Sequence, residues 1–170
     1  YEIHPIDGRM YMAIGDTISV LDAKSSPNII DVFELENTAD DNYVTDLEMD
    51  LANNRMLVTT SAGELHSVNL DNTSWNTGLP AEPSGGAWNQ VHVGSNGDLF
   101  AFSQSGIFTL NTAGTGWTLE QASGTSNWPS GGPEETFEHN GIIYAAIIGG
   151  GVGRWDVSSM SPLAPWSTAN

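Results

Sequence analysis

The chain has 170 residues, of which 21 are acidic and 4 are basic, so its formal net charge is −17. That charge repels phosphate backbones and anionic lipid, which argues against nucleic-acid binding and against a membrane-surface role. The sequence has no cysteine for a disulfide or a thiolate metal site. It also lacks an apolar run of about 18 residues, so we expect no membrane insertion.

A tight turn followed by an apolar strand recurs four times along the chain. The turns lie at Asp7-Gly8, Asn53-Asn54, Asn96-Gly97 and Asn140-Gly141, and they recur every 43 to 46 residues. Asn-Gly favours such a turn because both central residues of a type I′ turn need a positive φ. Each apolar strand is followed by a second turn of small residues and a third strand that ends in an apolar residue plus Asp or Asn. A four-strand unit repeated about every 40–50 residues is typical of propeller blades.

The repeat therefore predicts an all-β fold, a β-propeller of four-stranded antiparallel blades. The blades are expected at residues 2–35, 44–79, 89–121 and 135–170, in a single domain over 1–170. Glycine, proline, serine, asparagine and acidic residues fill the connections, and these are predicted as loops. Propellers have about 4–8 blades, so the four blades either close by direct contact or form an arc of a larger ring. Since the chain begins at Tyr1 without an initiator methionine, we expect a processed or trimmed chain.

Two stretches share a further pattern, which consists of an aliphatic strand, an aspartate, a turn with proline and a second aliphatic strand. They are TISVLDAKSSPNIIDVFEL at Thr17–Leu35 and VGRWDVSSMSPLAPWS at Val152–Ser167. This pattern resembles the LVIVD repeat of bacterial and archaeal extracellular β-propellers. The resemblance covers about half of the chain, because the strand ends at Leu70-Asp71 and Leu110-Asn111 lack the proline turn. It implies an extracellular or cell-surface location.

Four polar residues fall in register on the predicted inner strands. They are His4, Glu48, His92 and Glu138. Inner strands surround the axis of a propeller, so these side chains would converge in a closed ring. Imidazole and carboxylate together suit a divalent cation such as Zn²⁺. The alternative is a polar strand face without metal, because successive strand residues point to opposite faces.

The loops between the predicted blades carry candidate ligand-binding residues. Tyr43, Trp88 and Trp128 could stack on a sugar or cover a peptide, and the alternative is that they pack between blades. Asp40 and Asp41 precede the tyrosine and offer the oxygen ligands that Ca²⁺ prefers.

No catalytic motif such as G-x-S-x-G or H-E-x-x-H is present, so we assign no catalytic residue. We expect a non-catalytic extracellular or cell-surface module that binds a protein or a glycan through its inter-blade loops. No cofactor is expected beyond a calcium or zinc ion, and further blades or subunits of an assembly are expected as partners. Two alternatives stay open. One is an enzyme scaffold, a lyase or glycoside-active propeller that uses channel carboxylates and histidines. The other is a structural subunit of a surface assembly.

Overall fold

The computed structural model describes residues 1–22, 28–34, 42–71, 74–76 and 79–166. Across these ranges the chain forms four antiparallel sheets of four strands each, with one 3₁₀ turn at Leu51–Asn53 and no α-helix. No helix in this described part is long and apolar enough to cross a membrane. Contacts divide the chain into two compact units, Tyr1–Gly78 and Leu79–Asn170, and each unit holds two sheets.

The first unit contains sheets 1 and 2, each with its strands in sequence order. Sheet 1 consists of β1 (Glu2–Ile3), β2 (Arg9–Ile14), β3 (Thr17–Asp22) and β4 (Asn28–Glu34). Sheet 2 consists of β5 (Val44–Asp50), β6 (Arg55–Thr60), β7 (Leu65–Asn69) and β8 (Trp75–Asn76). One face of each sheet is apolar, and the two faces meet in one core that includes Tyr11, Ile18, Val20, Leu47, Met56, Val58 and Val68.

The second unit repeats this arrangement with sheets 3 and 4. Sheet 3 consists of β9 (Trp88–Val93), β10 (Leu99–Ser103), β11 (Gly106–Leu110) and β12 (Trp117–Ala122). Sheet 4 consists of β13 (Pro133–His139), β14 (Ile142–Ile147), β15 (Gly151–Asp156) and β16 (Ser161–Trp166). Their common core includes Phe100, Phe102, Ile107, Trp128, Ile143, Ala145 and Trp155.

The predicted turns lie at the expected places and explain the strand order, but only Asn140-Gly141 has the positive φ at both residues that a type I′ turn needs. Gly97 has φ 86°, a conformation that costs glycine little. Asn54 takes the left-handed conformation at the equivalent position of sheet 2, with φ 51°, which asparagine tolerates better than most residues. Each turn therefore reverses the chain between the first and second strands of its sheet, and the prediction of four-stranded antiparallel units is confirmed.

The first strand is shorter than predicted. The sequence predicts a strand over residues 2–6, but β1 ends at Ile3 because the chain turns at His4. The amide of Gly8 donates to the carbonyl of His4 (2.9 Å), and the amide of His4 donates to the carbonyl of Arg9 (2.8 Å). Pro5 follows directly, and proline has no amide hydrogen with which to continue a ladder. His4 therefore begins the turn instead of lying within an inner strand.

Candidate functional site

The loop before β5 presents an exposed aromatic ring on a fixed backbone. Tyr43 is 53% exposed. Its amide donates to Ser61 Oγ (3.0 Å), and its carbonyl accepts from the amide of Ser61 (2.8 Å). The next amide, that of Val44, donates to the carbonyl of Gly15 in the β2–β3 turn (2.8 Å). The loop is thus held to the second-to-third-strand turns of both sheets in the first unit, and the ring faces solvent.

Asn42 anchors the same loop from the inside, and it is only 8% exposed. Its Oδ1 accepts from Ser61 Oγ (2.9 Å) and from the amide of Ala62 (3.0 Å). Its Nδ2 donates to Glu64 Oε2 (3.2 Å). Both polar atoms of this side chain are hydrogen-bonded, and these bonds help to fix the backbone next to Tyr43.

A carboxylate and an imidazole lie beside this anchor. Glu64 Oε2 is 3.2 Å from His66 Nε2, and the two side chains are 52% and 25% exposed. The histidine ring also makes an edge contact with Trp75, at 5.7 Å between ring centroids. We call Tyr43, Glu64 and His66 the Tyr43 surface. It combines a flat ring with an acceptor and a donor, which is the chemistry that recognises sugar hydroxyls or peptide groups.

The corresponding loop of the second unit is anchored differently. Glu82 is 4% exposed and accepts hydrogen bonds from the amides of Ser84 (2.8 Å) and Gly86 (2.7 Å). Ser84 Oγ in turn lies 2.9 Å from Ser105 Oγ in the β10–β11 turn. Burial by itself raises the pKa of Glu82, but these hydrogen bonds outweigh it and hold the pKa below its usual value. An ionised carboxylate therefore organises this loop.

The two predicted loop tryptophans are buried, so they offer no surface to a ligand. Trp88 is 1% exposed and begins β9, where its ring packs against Phe108 and Trp117 at 5.4 and 4.9 Å between centroids. Trp128 is 1% exposed and stacks on Phe102 at 6.5 Å. Their place in the cores corrects the expectation of ligand contact and matches the packing alternative. Asp40 and Asp41 lie outside the described residues.

The structure brings two of the four candidate metal ligands together. His92 Nε2 on β9 is 3.4 Å from Glu138 Oε2 on β13, and their side chains are 11% and 12% exposed. The amide of Ser95 also donates to Glu138 Oε2 (2.8 Å). A parallel link joins the same strands, because Gln90 Nε2 donates to the carbonyl of Glu134 (3.0 Å). The pair therefore ties the first strands of sheets 3 and 4 together.

The charges of this pair follow from its surroundings. Burial lowers the pKa of His92, although Glu138 acts in the opposite direction. Burial raises the pKa of Glu138, but hydrogen bonds from Ser95 and His92 outweigh that effect and the pKa is lowered. Near neutral pH the site holds a carboxylate beside a neutral imidazole.

The other two candidate ligands lie in the first unit. His4 Nδ1 is 3.1 Å from Asp7 Oδ1 within the first turn, and Glu48 is half-buried on β5, opposite Leu57. Among the described residues, no group of three or more His, Asp or Glu side chains is arranged to hold a metal ion. Zinc sites use three or four protein ligands, and His92 with Glu138 supplies two. The four-residue metal site thus stays a prediction.

The sequence interpretation missed three functional or anchoring residues, namely Asn42, Glu64 and Glu82. A signal for Glu82 was available, because a lone acid before the Pro-Ser-Gly-Gly run can accept from several amides at once. Nothing in the sequence marks Asn42, whose partners lie about twenty residues further along the chain.

Solved structures similar to this chain are β-propellers. The WD40 β-propeller domain of Doa1 matches with a TM-score of 0.64 and 12% identity, over 90% of this chain and 48% of that chain. The extracellular domain of the one-component system BT4673 from B. thetaiotaomicron matches with a TM-score of 0.67 and 15% identity, over 89% and 20%. The extracellular domain of the hybrid two-component system BT3049 from the same organism matches with a TM-score of 0.63 and 13% identity, over 97% and 24%.

The chain thus spans about half or less of the length of these solved chains. No protein-family model matches the sequence, and neither does any curated protein. At such identities the likeness establishes the fold alone. The four sheets are blades 1 to 4 of a β-propeller fold, as the sequence predicted.

Proposed function

We propose that this chain is an extracellular or cell-surface interaction module that binds a protein or a glycan through the Tyr43 surface. The observation that carries the proposal is the exposed tyrosine ring on a backbone fixed by Asn42 and Ser61. An aromatic ring that is already held in place loses little conformational entropy when it binds. Solved propellers with extracellular locations and the resemblance to LVIVD repeats support the proposed location.

The charge of the chain narrows the class of ligand. With a net charge of −17, the chain repels acidic partners. Glu64 contributes a carboxylate directly at the Tyr43 surface. The ligand is therefore a neutral glycan or a protein segment that is neutral or basic. Our proposal keeps the four blades in a single propeller domain over residues 1–170.

The variant Tyr43→Ala tests this proposal, with Tyr1→Ala as the matched control because Tyr1 is 80% exposed. The probes are neutral oligosaccharides, lysine- and arginine-rich peptides, and acidic peptides of equal length, measured by calorimetry. We expect a neutral or basic probe to bind, and Tyr43→Ala to weaken that binding tenfold or more, about 1.4 kcal/mol. Tyr1→Ala should bind as the unaltered chain does. Equal effects of the two variants, or binding of acidic peptides alone, would contradict the proposal.

The His92–Glu138 pair supports a second candidate, the enzyme scaffold. A neutral imidazole beside an ionised carboxylate is the state that a general base requires. Turnover of a neutral polysaccharide or an aryl glycoside, lost in His92→Gln, would favour it. Turnover that persists in His92→Gln, or none with the unaltered chain, would exclude this use of the pair.

A further inference from the structure

One face of blade 1 carries apolar side chains at the surface. Cross-strand pairing places them on the face opposite Tyr11 and Val20, which lie in the core shared with blade 2. The members of this face are Ile3, Met10, Met12, Ile14, Leu21, Ile29 and Val32. Ile14 is 66% exposed and Ile29 is 62% exposed. We call these residues the blade 1 end face.

One face of blade 4 is similar in character. It lies opposite Ile143 and Trp155, which belong to the core shared with blade 3. Phe137 is 56% exposed, and its ring stacks on Tyr144 with 5.0 Å between centroids and 10° between planes. The blade 4 end face comprises Phe137, Ile142, Tyr144, Ala146, Val152 and Leu163.

Blade 1 packs on blade 2, and blade 3 packs on blade 4, through equivalent positions. We number these positions from the second residue of the tight turn in each blade. In the first unit, the third residue after the turn of blade 1 is Tyr11. It lies in one core with Met56 and Val58, the second and fourth residues after the turn of blade 2. An aromatic ring on one blade thus packs on aliphatic side chains of the next.

The second unit repeats the rule with other residues. The third residue after the turn of blade 3 is Phe100. It shares a core with Ile143 and Ala145, the second and fourth residues after the turn of blade 4. The same turn-relative positions lie in both cores, so we take them as the positions through which one blade packs on the next.

The two end faces carry residues of the kinds that this rule requires. Tyr144 is the third residue after the turn of blade 4, and Met10 and Met12 are the second and fourth after the turn of blade 1. All three side chains are only half-buried. We propose that the blade 4 end face of one chain packs on the blade 1 end face of a second copy of the same chain.

Symmetry and one local pair of opposite charges favour this pairing, whereas the net charge of −17 on each copy opposes it. Arg154 lies on the blade 4 end face, where its guanidinium is 5.9 Å from the centre of the Tyr144 ring. Glu34 lies on the blade 1 end face, opposite Thr17, and offers a carboxylate to this guanidinium, although the blade 4 end face also carries Glu135 and Asp156. The faces differ from each other, and the contact is therefore head-to-tail. Two copies supply eight blades, the upper end of the usual range of about 4–8.

The mass of the purified chain in solution tests the proposal directly. By sedimentation or light scattering we expect a dimer, about twice the 18.1 kDa of one chain. Met12→Asp and Phe137→Asp should each weaken dimerisation at least tenfold, because each places a carboxylate in the apolar contact. Leu119→Asp is the matched control, since Leu119 is 50% exposed on blade 3, and it should leave the dimer intact. Circular dichroism melting of each variant verifies that it folds.

Mixing the two variants tests the head-to-tail arrangement. A mixture of Met12→Asp and Phe137→Asp retains one unaltered pair of faces, so it should associate more strongly than either variant alone. A contact between two identical faces would leave one of the variants fully dimeric instead, and that result would overturn the proposal.

Because the sequence has no cysteine, a disulfide in a cross-linking test can form only between introduced cysteines. In the double variant Met10→Cys with Tyr144→Cys, oxidation should join the cysteine of one copy to that of another, with the thiols losing two electrons and two protons to added oxidised glutathione. A dimer band on a non-reducing gel supports the proposal. A disulfide within one chain overturns the proposal, and it would indicate that the two end faces close a ring within a single chain. A chain that stays monomeric at about 100 µM and forms no cross-link also overturns it, and the end faces would then be available to further blades.

Discussion

The aromatic residues Tyr43 and Trp88 differ in solvent exposure, although they occupy nearly the same place in the repeat. Val44 pairs with the last residue of β6, Thr60, and Trp88 pairs with the last residue of β10, Ser103. Val44 and Trp88 are therefore equivalent, and Tyr43 lies one residue earlier. Successive strand residues point to opposite faces. An offset of one residue thus leaves the tyrosine ring in solvent and places the indole in the core.

This difference shows that residue type did not decide which aromatic is available to a ligand. The strand register decided it, together with the polar anchors that hold each loop. In the first unit, the hydrogen bonds of Asn42 hold the loop with the Tyr43 ring in solvent. In the second unit, the hydrogen bonds to Glu82 hold a loop whose aromatic residue, Trp88, is buried. Substitutions in either unit test this difference between the two loops.

The largest loss of stability is expected when the buried indole of Trp88 is removed. Trp88→Ala removes a ring that is 1% exposed and packed against two other aromatic rings. We expect the free energy of unfolding to fall by about 3–5 kcal/mol, as for other large-to-small core substitutions. Tyr43→Ala should change it by less than about 0.5 kcal/mol, because the ring is on the surface. Urea denaturation of both variants measures the contrast, and similar losses would refute the difference in burial.

A smaller loss is expected at the anchor of the second loop. Glu82→Gln removes the charge that strengthens the hydrogen bonds from Ser84 and Gly86. We expect the free energy of unfolding to fall by about 1.5–3 kcal/mol, the usual contribution of hydrogen bonds to a charged group. The lowered pKa of Glu82 in the folded state means that its stabilisation is present above the ordinary value of 4.5 and is lost as the pH falls below it.

The pH dependence separates this variant from a merely disruptive one. The unfolding free energy of the Gln variant should decline less steeply below pH 4.5 than that of the unaltered chain. Denaturant titrations at several pH values measure both slopes. Parallel slopes would show that the carboxylate does not act through its charge.

The smallest change in stability is expected for the substitution His92→Gln. Its pKa in the folded state is lowered from 6.5, so the unfolded chain binds the proton more readily and stability declines as the pH falls below 6.5. His92→Gln should remove this part of the decline, whereas Glu138 still contributes its own loss below its ordinary value of 4.5. Thermal melting between pH 7 and pH 5 measures the change. His139→Gln, which removes an exposed imidazole, is the control.

Much of the fold was accessible from the sequence, whereas little of the candidate site was. The turns at Asn96-Gly97 and its three equivalents specified where strands begin, and the four antiparallel sheets confirm that interpretation. Of the loop aromatics, only Tyr43 is exposed. The anchors Asn42 and Glu82 escaped the sequence interpretation, since neither belongs to a periodic pattern.

The sequence by itself determined the repeat, the turns and the alternation of apolar residues, because all of these depend on neighbours a few residues apart. The register of the repeat predicted that His92 and Glu138 converge with His4 and Glu48, but only the tertiary structure decided that Trp88 is enclosed and that His92 pairs with Glu138 at 3.4 Å. Such contacts form when one sheet packs against another, and no local pattern encodes the distance between two side chains on different sheets.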